Sequence, residues 1–207
     1  MSTNFYQLNF IISCFTMTTM SIQSIQFDSI YILSQIITIL ALALLVWTYF
    51  ITNRNKQLYI IISSNLFYIM SMLLLGGYTG AATIVIAIVR DITSKIIYEN
   101  RPPEARLKNT RFDYYLLALW ISLLSIVTYF TWNGFISLFA FAALALFTVS
   151  VWQKNQLFYR ILGIVSAICW IIYLGGILNI AGVVSESILL AMIIVGLVKF
   201  LNGKKAG

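Results

Sequence analysis

The chain has 207 residues, of which 61% are apolar and 9% charged, with a mean hydropathy of +0.94 and a formal net charge of +7. Soluble domains carry about 25% charged residues, so the composition excludes a soluble globular protein and points to an integral membrane protein. There is no histidine, and Cys14 and Cys169 make neither a disulfide framework nor a metal pattern, so no cofactor and no metal are expected.

Residues 1–28 contain an apolar stretch, FIISCFTM at 10–17, but no basic segment precedes it, so a cleaved leader is disfavoured. They read as an external N-terminal extension. From Ser29 onward, charge-free runs cover Ser29 to Asn53, Gln57 to Val89, Tyr114 to Gln153 and Ile161 to Ser185. One bilayer crossing needs about 20 mostly apolar residues, so several runs hold two helices. Turn signals at Gly76-Gly77, Trp132-Asn133-Gly134 and Gly175-Gly176 to Asn179 divide them. The predicted helices are 30–52, 57–75, 78–97, 114–131, 134–152, 157–174 and 178–200, seven in all.

The charges support that count. All 13 Lys and Arg fall at Arg54 and Lys56, Arg90 to Arg111, Lys154 and Arg160, or Lys199 to Lys205. The connections around Gly76, Trp132 and Gly176 carry no charge. Cytoplasmic connections are enriched in Lys and Arg. Seven helices put every basic connection on one side, with the N-terminus outside and residues 204–207 as a cytoplasmic tail. The basic residues lie scattered over short connections, which argues for a lipid bilayer as partner and against nucleic acid. The loop ENRPPEARLKNTR, 99–111, contains Pro102-Pro103, which cannot continue a helix, and reads as a linker that sets topology. Within helix 3, Asp91 is expected to support Lys95, four residues later.

Residues 57–77 match 156–176 without a gap at seven of 21 positions, with QL at one end and LGG at the other. Helices 1–3 (30–97) and 5–7 (134–200) therefore read as two copies of a three-helix unit. An odd number of helices would invert a tandem copy; the spare helix 114–131 restores the direction. The expected fold class is all-α integral membrane: a seven-helix domain over 29–203, with two parallel three-helix repeats joined by a linker helix. Such repeats about an axis along the membrane normal are a transporter plan, as in the SWEET sugar carriers.

Polar residues in apolar helices line contacts or a cavity. On helix 6, Gly163, Ser166, Trp170 and Tyr173 form one stripe; helix 2 offers Ser64, Phe67, Ser71 and Leu74, with Asn65 and Tyr68 beside it. Small and hydroxyl residues at this spacing also serve close helix packing. Trp132 and Trp152 are expected at the interfacial belt. Glu186 is the one charge between Ile161 and Val198, about 12 Å into helix 7 from Leu178. Charged residues at such depth face the interior and have partners. Asn179, Gly182 and Glu186 share a face. The expected partner is Arg90, about 18 Å into helix 3.

The segments NRNKQL (53–58), LGGYTGA (75–81), AIVR (87–90), the pattern Arg160, Ser166, Cys169 and Trp170, and SES around Glu186 carry a resemblance. Over residues 29–203 the chain resembles the YgjV-type bacterial inner-membrane proteins, a family similar to the SWEET, PQ-loop and PnuC carriers with their three-plus-one-plus-three plan. The resemblance implies a multi-pass protein of the bacterial cytoplasmic membrane. It carries no substrate: the tryptophan-rich motifs of PnuC carriers are missing, and Asn179 lies at a helix end, unlike the paired membrane asparagines of SWEETs.

The expected function is transport of a small polar solute through a path lined by Glu186, Arg90, Asn65, Ser71, Ser166, Trp170, Tyr173 and Asn179. A membrane receptor or accessory scaffold is the alternative. One buried acid, no histidine and no Ser beside a base leave an enzyme little to work with, so none is expected.

Overall fold

The computed structural model describes residues 29–48, 54–100, 102, 110–152 and 156–205. The expected N-terminal extension and the basic segment 103–109 lie outside the described residues. The helices are α1 (Ser29–Trp47), α2 (Arg54–Leu74), α3 (Tyr78–Glu99), α4 (Arg111–Phe130), α5 (Ser137–Trp152), α6 (Gln156–Gly176) and α7 (Ile180–Lys205). Four of them contain stretches long and apolar enough to cross a membrane: Ser29–Trp47, Arg111–Phe130, Leu157–Gly176 and Ile180–Asn202. The apolar parts of α2 and α5 are shorter, and α3 carries Arg90, Asp91, Lys95 and Glu99 in its second half.

The helices are built inside out. On α1 the buried residues are Ser34, Ile37, Thr38 and Ala41, while Ile32, Leu33, Ile36, Ile39 and Leu40 are exposed. Small and hydroxyl side chains let helix backbones approach, and large apolar ones face outward; both follow when the surroundings are lipid rather than water. Tightly packed pairs are α1 with α2 and α5 with α6; α3 also touches α5, and α7 touches α1. The main core joins Ala41, Tyr68, Met72, Ala81, Ile84, Ala140, Tyr173 and Leu174. α4 attaches at the side, through Leu124 against Ala87 and Leu144. Its start is fixed by Thr110, whose backbone N–H and hydroxyl donate to the Asp113 carboxylate at 2.7 and 3.0 Å. Thr110 and Asp113 make a capping box.

The turns differ from the expected ones in two places. α6 continues through Gly175-Gly176, and the missing Cβ of Gly176 lets Ile136 pack against it. The chain reverses at Leu178 instead, which takes a left-handed φ of 57°. α5 begins at Ser137, three residues after Gly134, whose φ is +76°.

The α2–α3 and α6–α7 connections share one design. The Gly77 N–H donates to Met72 O at 2.7 Å, and the Asn179 N–H to Leu174 O at 2.9 Å. Left-handed residues precede both, Gly76 and Leu178. Deeper in the fold, the Ser64 hydroxyl donates to Ala41 O at 2.7 Å and the Ser166 hydroxyl to Ala143 O at 2.7 Å. In every case the second partner stands 102 residues after the first, as do the starts of α2 and α6 (54 and 156) and of α3 and α7 (78 and 180). The identities between 57–77 and 156–176 fall at an offset of 99, three residues from this register.

Candidate functional site

A cavity of about 660 Å³ lies between the helices. It receives side chains from α1, α2, α3, α5, α6 and α7, and none from α4. Its deep end is at Met72 and Leu174, and it runs past Tyr68, Trp170 and Glu186, then Asn65, Ser64 and Ser166. Beyond these it reaches Arg90, Asp91, Phe147, Tyr159 and Arg160, toward the ends of α3 and α6 that carry the basic connections.

Beyond Met72 and Leu174 a layer of buried polar groups closes the other end. Asn179 sits just before α7 and is fully buried; its Oδ1 accepts the Gly182 N–H at 2.9 Å, a helix N-cap. Its amide donates to the Thr38 and Ser71 hydroxyls at 3.2 and 3.3 Å. Those two hydroxyls lie 2.6 Å apart, and Ser71 also donates to Ser34 O at 3.0 Å. Gln35 completes the seam, with its Oε1 accepting the Ala181 N–H at 2.9 Å. On the opposite side the Gly80 N–H, in the first turn of α3, donates to the Tyr173 hydroxyl at 2.8 Å. A Cβ on Gly80 would stand 2.5 Å from the Tyr173 ring, so only glycine admits this approach. Gly80 and Gly182 stand 102 residues apart. One N–H is capped by Tyr173 of α6, the other by Asn179, which is itself bonded to α1 and α2. Each cap thus links the first three helices to the last three.

Of the eight path residues expected from sequence, five line the cavity: Glu186, Arg90, Asn65, Ser166 and Trp170. The other three, Ser71, Tyr173 and Asn179, belong to the closing layer. The expected meeting of Glu186 with Arg90 does not occur. Arg90 is 1% exposed; its Nε and Nη2 donate to Asp91 Oδ1 at 2.9 and 2.8 Å and its Nη1 to Thr148 at 2.6 Å. The Phe147 ring lies 5.4 Å from its guanidinium carbon. The cause is level along the bundle. Arg90 is the twelfth residue after Tyr78 and Glu186 the sixth after Ile180, so they differ by about 9 Å in height. Asp91 accordingly serves Arg90 rather than Lys95, which pairs with Glu99 at 3.8 Å.

Among the described residues no Lys or Arg lies in ion-pair contact with Glu186. Tyr68, 8% exposed, lies within electrostatic range of that carboxylate. Its hydroxyl has no close hydrogen-bond partner; the nearby Ser185 hydroxyl donates to Ala181 O at 2.9 Å and keeps lone pairs that can accept. Arg160, at the other end, packs over Gly196 and lies 5.5 Å from the Phe200 ring centre. Sequence reasoning passed over Thr38, Gln35 and Thr148. For α1 the signal was there: Ser34, Gln35 and Thr38 are polar positions at helical spacing in a run that is otherwise apolar.

Of the expected belt residues, Trp132 is exposed at the α4–α5 turn. Trp152, at the end of α5, is half-buried, with its indole N–H buried and unbonded.

The family model Imp-YgjV, described as a bacterial inner membrane protein, matches residues 32–204. No curated protein and no solved structure matches the chain.

Proposed function

The chain belongs to the Imp-YgjV family of bacterial inner membrane proteins, and from that premise we propose that it carries a small polar solute across the membrane by alternating access. All seven helices span the bilayer, with the N-terminus outside and the C-terminus in the cytoplasm. α1–α3 and α5–α7 are parallel repeats in a SWEET-like plan, and α4 is the linker helix. The recurrence of turn and seam hydrogen bonds at 102 residues supports the repeats. So does the reciprocal contact of α3 with α5 and of α7 with α1, which is what a two-fold relation along the membrane normal requires.

One observation carries the transport reading. The cavity lies between the two halves, and the caps that close its uncharged end are hydrogen bonds from one half to the other. A purely structural bundle gains nothing from leaving about 660 Å³ unfilled, since voids forfeit packing energy. A carrier needs both the space and a seam that can part. The positive-inside bias assigns the basic end to the cytoplasm, so on this reading the cavity reaches toward the cytoplasm and the caps close it from the outside.

The test is two-sided labelling in a background with Cys14 and Cys169 replaced by alanine. Asn65→Cys is expected to react with a membrane-impermeant maleimide from the cytoplasmic side. Met72→Cys, at the deep end, is expected to react slowly but measurably from the outside. A receptor or scaffold leaves Met72→Cys unreactive from outside under every condition.

A further inference from the structure

Two rings and one acid meet at the deep part of the cavity. Tyr68 and Trp170 stand 102 residues apart, so in the hydrogen-bond register of the fold they occupy equivalent positions on α2 and α6, and both line the cavity. Each lies one helical turn inside the residue that ends it, Met72 and Leu174. Trp170 is braced edge-on by Tyr173, with ring centres 5.7 Å apart. The third helices break the equivalence: Ile84 of α3 and Glu186 of α7, again 102 apart, both line the cavity, and only one is an acid. The deep end therefore has two aromatic walls, an aliphatic wall and a single carboxylate.

Three facts separate this group from ordinary packing. Glu186 has no ion-pair partner among the described residues, although an intramembrane carboxylate normally finds one. Tyr68 is buried, and its hydroxyl lacks a close partner at the cavity wall. The cavity's two arginines are engaged elsewhere, Arg90 with Asp91 and Thr148, and Arg160 over Gly196 and Phe200. That leaves the Glu186 carboxylate available to a cation from outside the chain. Trp is the strongest cation–π surface among the side chains, and an aromatic wall with an acid selects an ammonium over a hydrated metal ion.

We propose that the pocket formed by Tyr68, Trp170 and Glu186 binds the ammonium group of an organic cation. Glu186 neutralises the charge, Trp170 and Tyr68 stack against its carbon-bearing surface, and the Tyr68 hydroxyl meets a polar atom of the same solute. The proposal rests on the transport reading only for its consequence, since binding at the pocket can be measured without translocation.

The probes are tetramethylammonium, benzyltrimethylammonium and the neutral isostere of the latter, neopentylbenzene, titrated into the purified full chain at constant ionic strength while tryptophan fluorescence and melting temperature are read. The expected result is saturable binding of the two cations, with neopentylbenzene weaker by about tenfold or more. Glu186→Gln should weaken the cations to a similar degree. Glu99→Gln, which removes an exposed acid outside the cavity, should not. Equal binding of the neutral isostere, unchanged affinity in Glu186→Gln with an unchanged melting temperature, the same response to sodium chloride, or no binding of either cation would each overturn the proposal. If Glu186→Gln fails to fold, Trp170→Phe and Trp170→Leu replace it, and equal affinity in the two is the overturning result. If the cations bind but never alter outside labelling of Met72→Cys, the pocket stands and the transport reading fails.

Discussion

Asn179→Ala separates the stability of the bundle from the closure of its uncharged end. The side chain does two jobs in the structure. Its Oδ1 caps the Gly182 N–H at 2.9 Å within α7, a bond that survives any motion of α7 as a body. Loss of an N-cap costs about 1 kcal/mol. Its amide donates to Thr38 and Ser71 at 3.2 and 3.3 Å, and these two bonds cross between halves. Membrane hydrogen bonds between helices average about 0.6 kcal/mol, so closure loses about 1.2 kcal/mol. No orphan is added on the other side, because Thr38 and Ser71 keep each other at 2.6 Å and the Ser34 carbonyl. The expected outcome is a loss of about 2 kcal/mol in stability and a rise of about sevenfold in outside labelling of Met72→Cys. Ser71→Ala removes one crossing bond and keeps the cap, so labelling should rise only about threefold. A folded Asn179→Ala protein with an unchanged labelling rate would refute the assignment of this layer as the outer closure.

Arg90→Ala should lower yield and melting temperature, at a cost of about 2–3 kcal/mol, because it strands Asp91, while Thr148 keeps Leu144 O; Asp91 is 36% exposed, which keeps the cost below that of a fully buried pair. Detergent unfolding of the variant measures it, and a shift within error would show the network to be idle. Leu178→Gly should be neutral or stabilising, by about 1 kcal/mol, since a left-handed φ costs an L-residue about that much. A clear loss of melting temperature would show that the Leu178 side chain matters more than its backbone. A reporter fused at Gly207 should read cytoplasmic and one after Gly134 external; finding both on one side would refute the seven-span layout.

The helices themselves were legible in the sequence, because a charge-free run of the right length leaves the backbone few alternatives in lipid. The turn at 175–179 was placed, but its breaker was not: Gly-Gly reads as the breaker, whereas Gly176 is still helical and a contact point for Ile136, and the reversal falls on Leu178. The internal match stands three residues off the backbone register: LGG recurs, but the backbone positions that recur are Gly76 and Leu178. The site was half legible. Glu186, Arg90 and the Ser166–Trp170 stripe announce themselves as polar or aromatic positions in apolar helices. The partner of Arg90 did not, because helix depth counted from separate turns cannot rank an adjacent Asp91 against a residue on another helix. Ser71, Tyr173 and Asn179 read as path residues, and it takes the third dimension to see that they form the hydrogen-bonded layer beyond the cavity.

The most direct test of alternating access is a pair of distances. Spin labels on the exposed residues Tyr78 and Ile180 report the uncharged end, and labels on the exposed residues Ile96 and Val198 report the basic end; each pair sits at equivalent positions on α3 and α7. Measured in nanodiscs with and without Asn179→Ala, the Tyr78–Ile180 distance should lengthen in the variant while the Ile96–Val198 distance shortens. Two distances that stay fixed, or that change in the same sense, would contradict a carrier whose halves rock about the cavity.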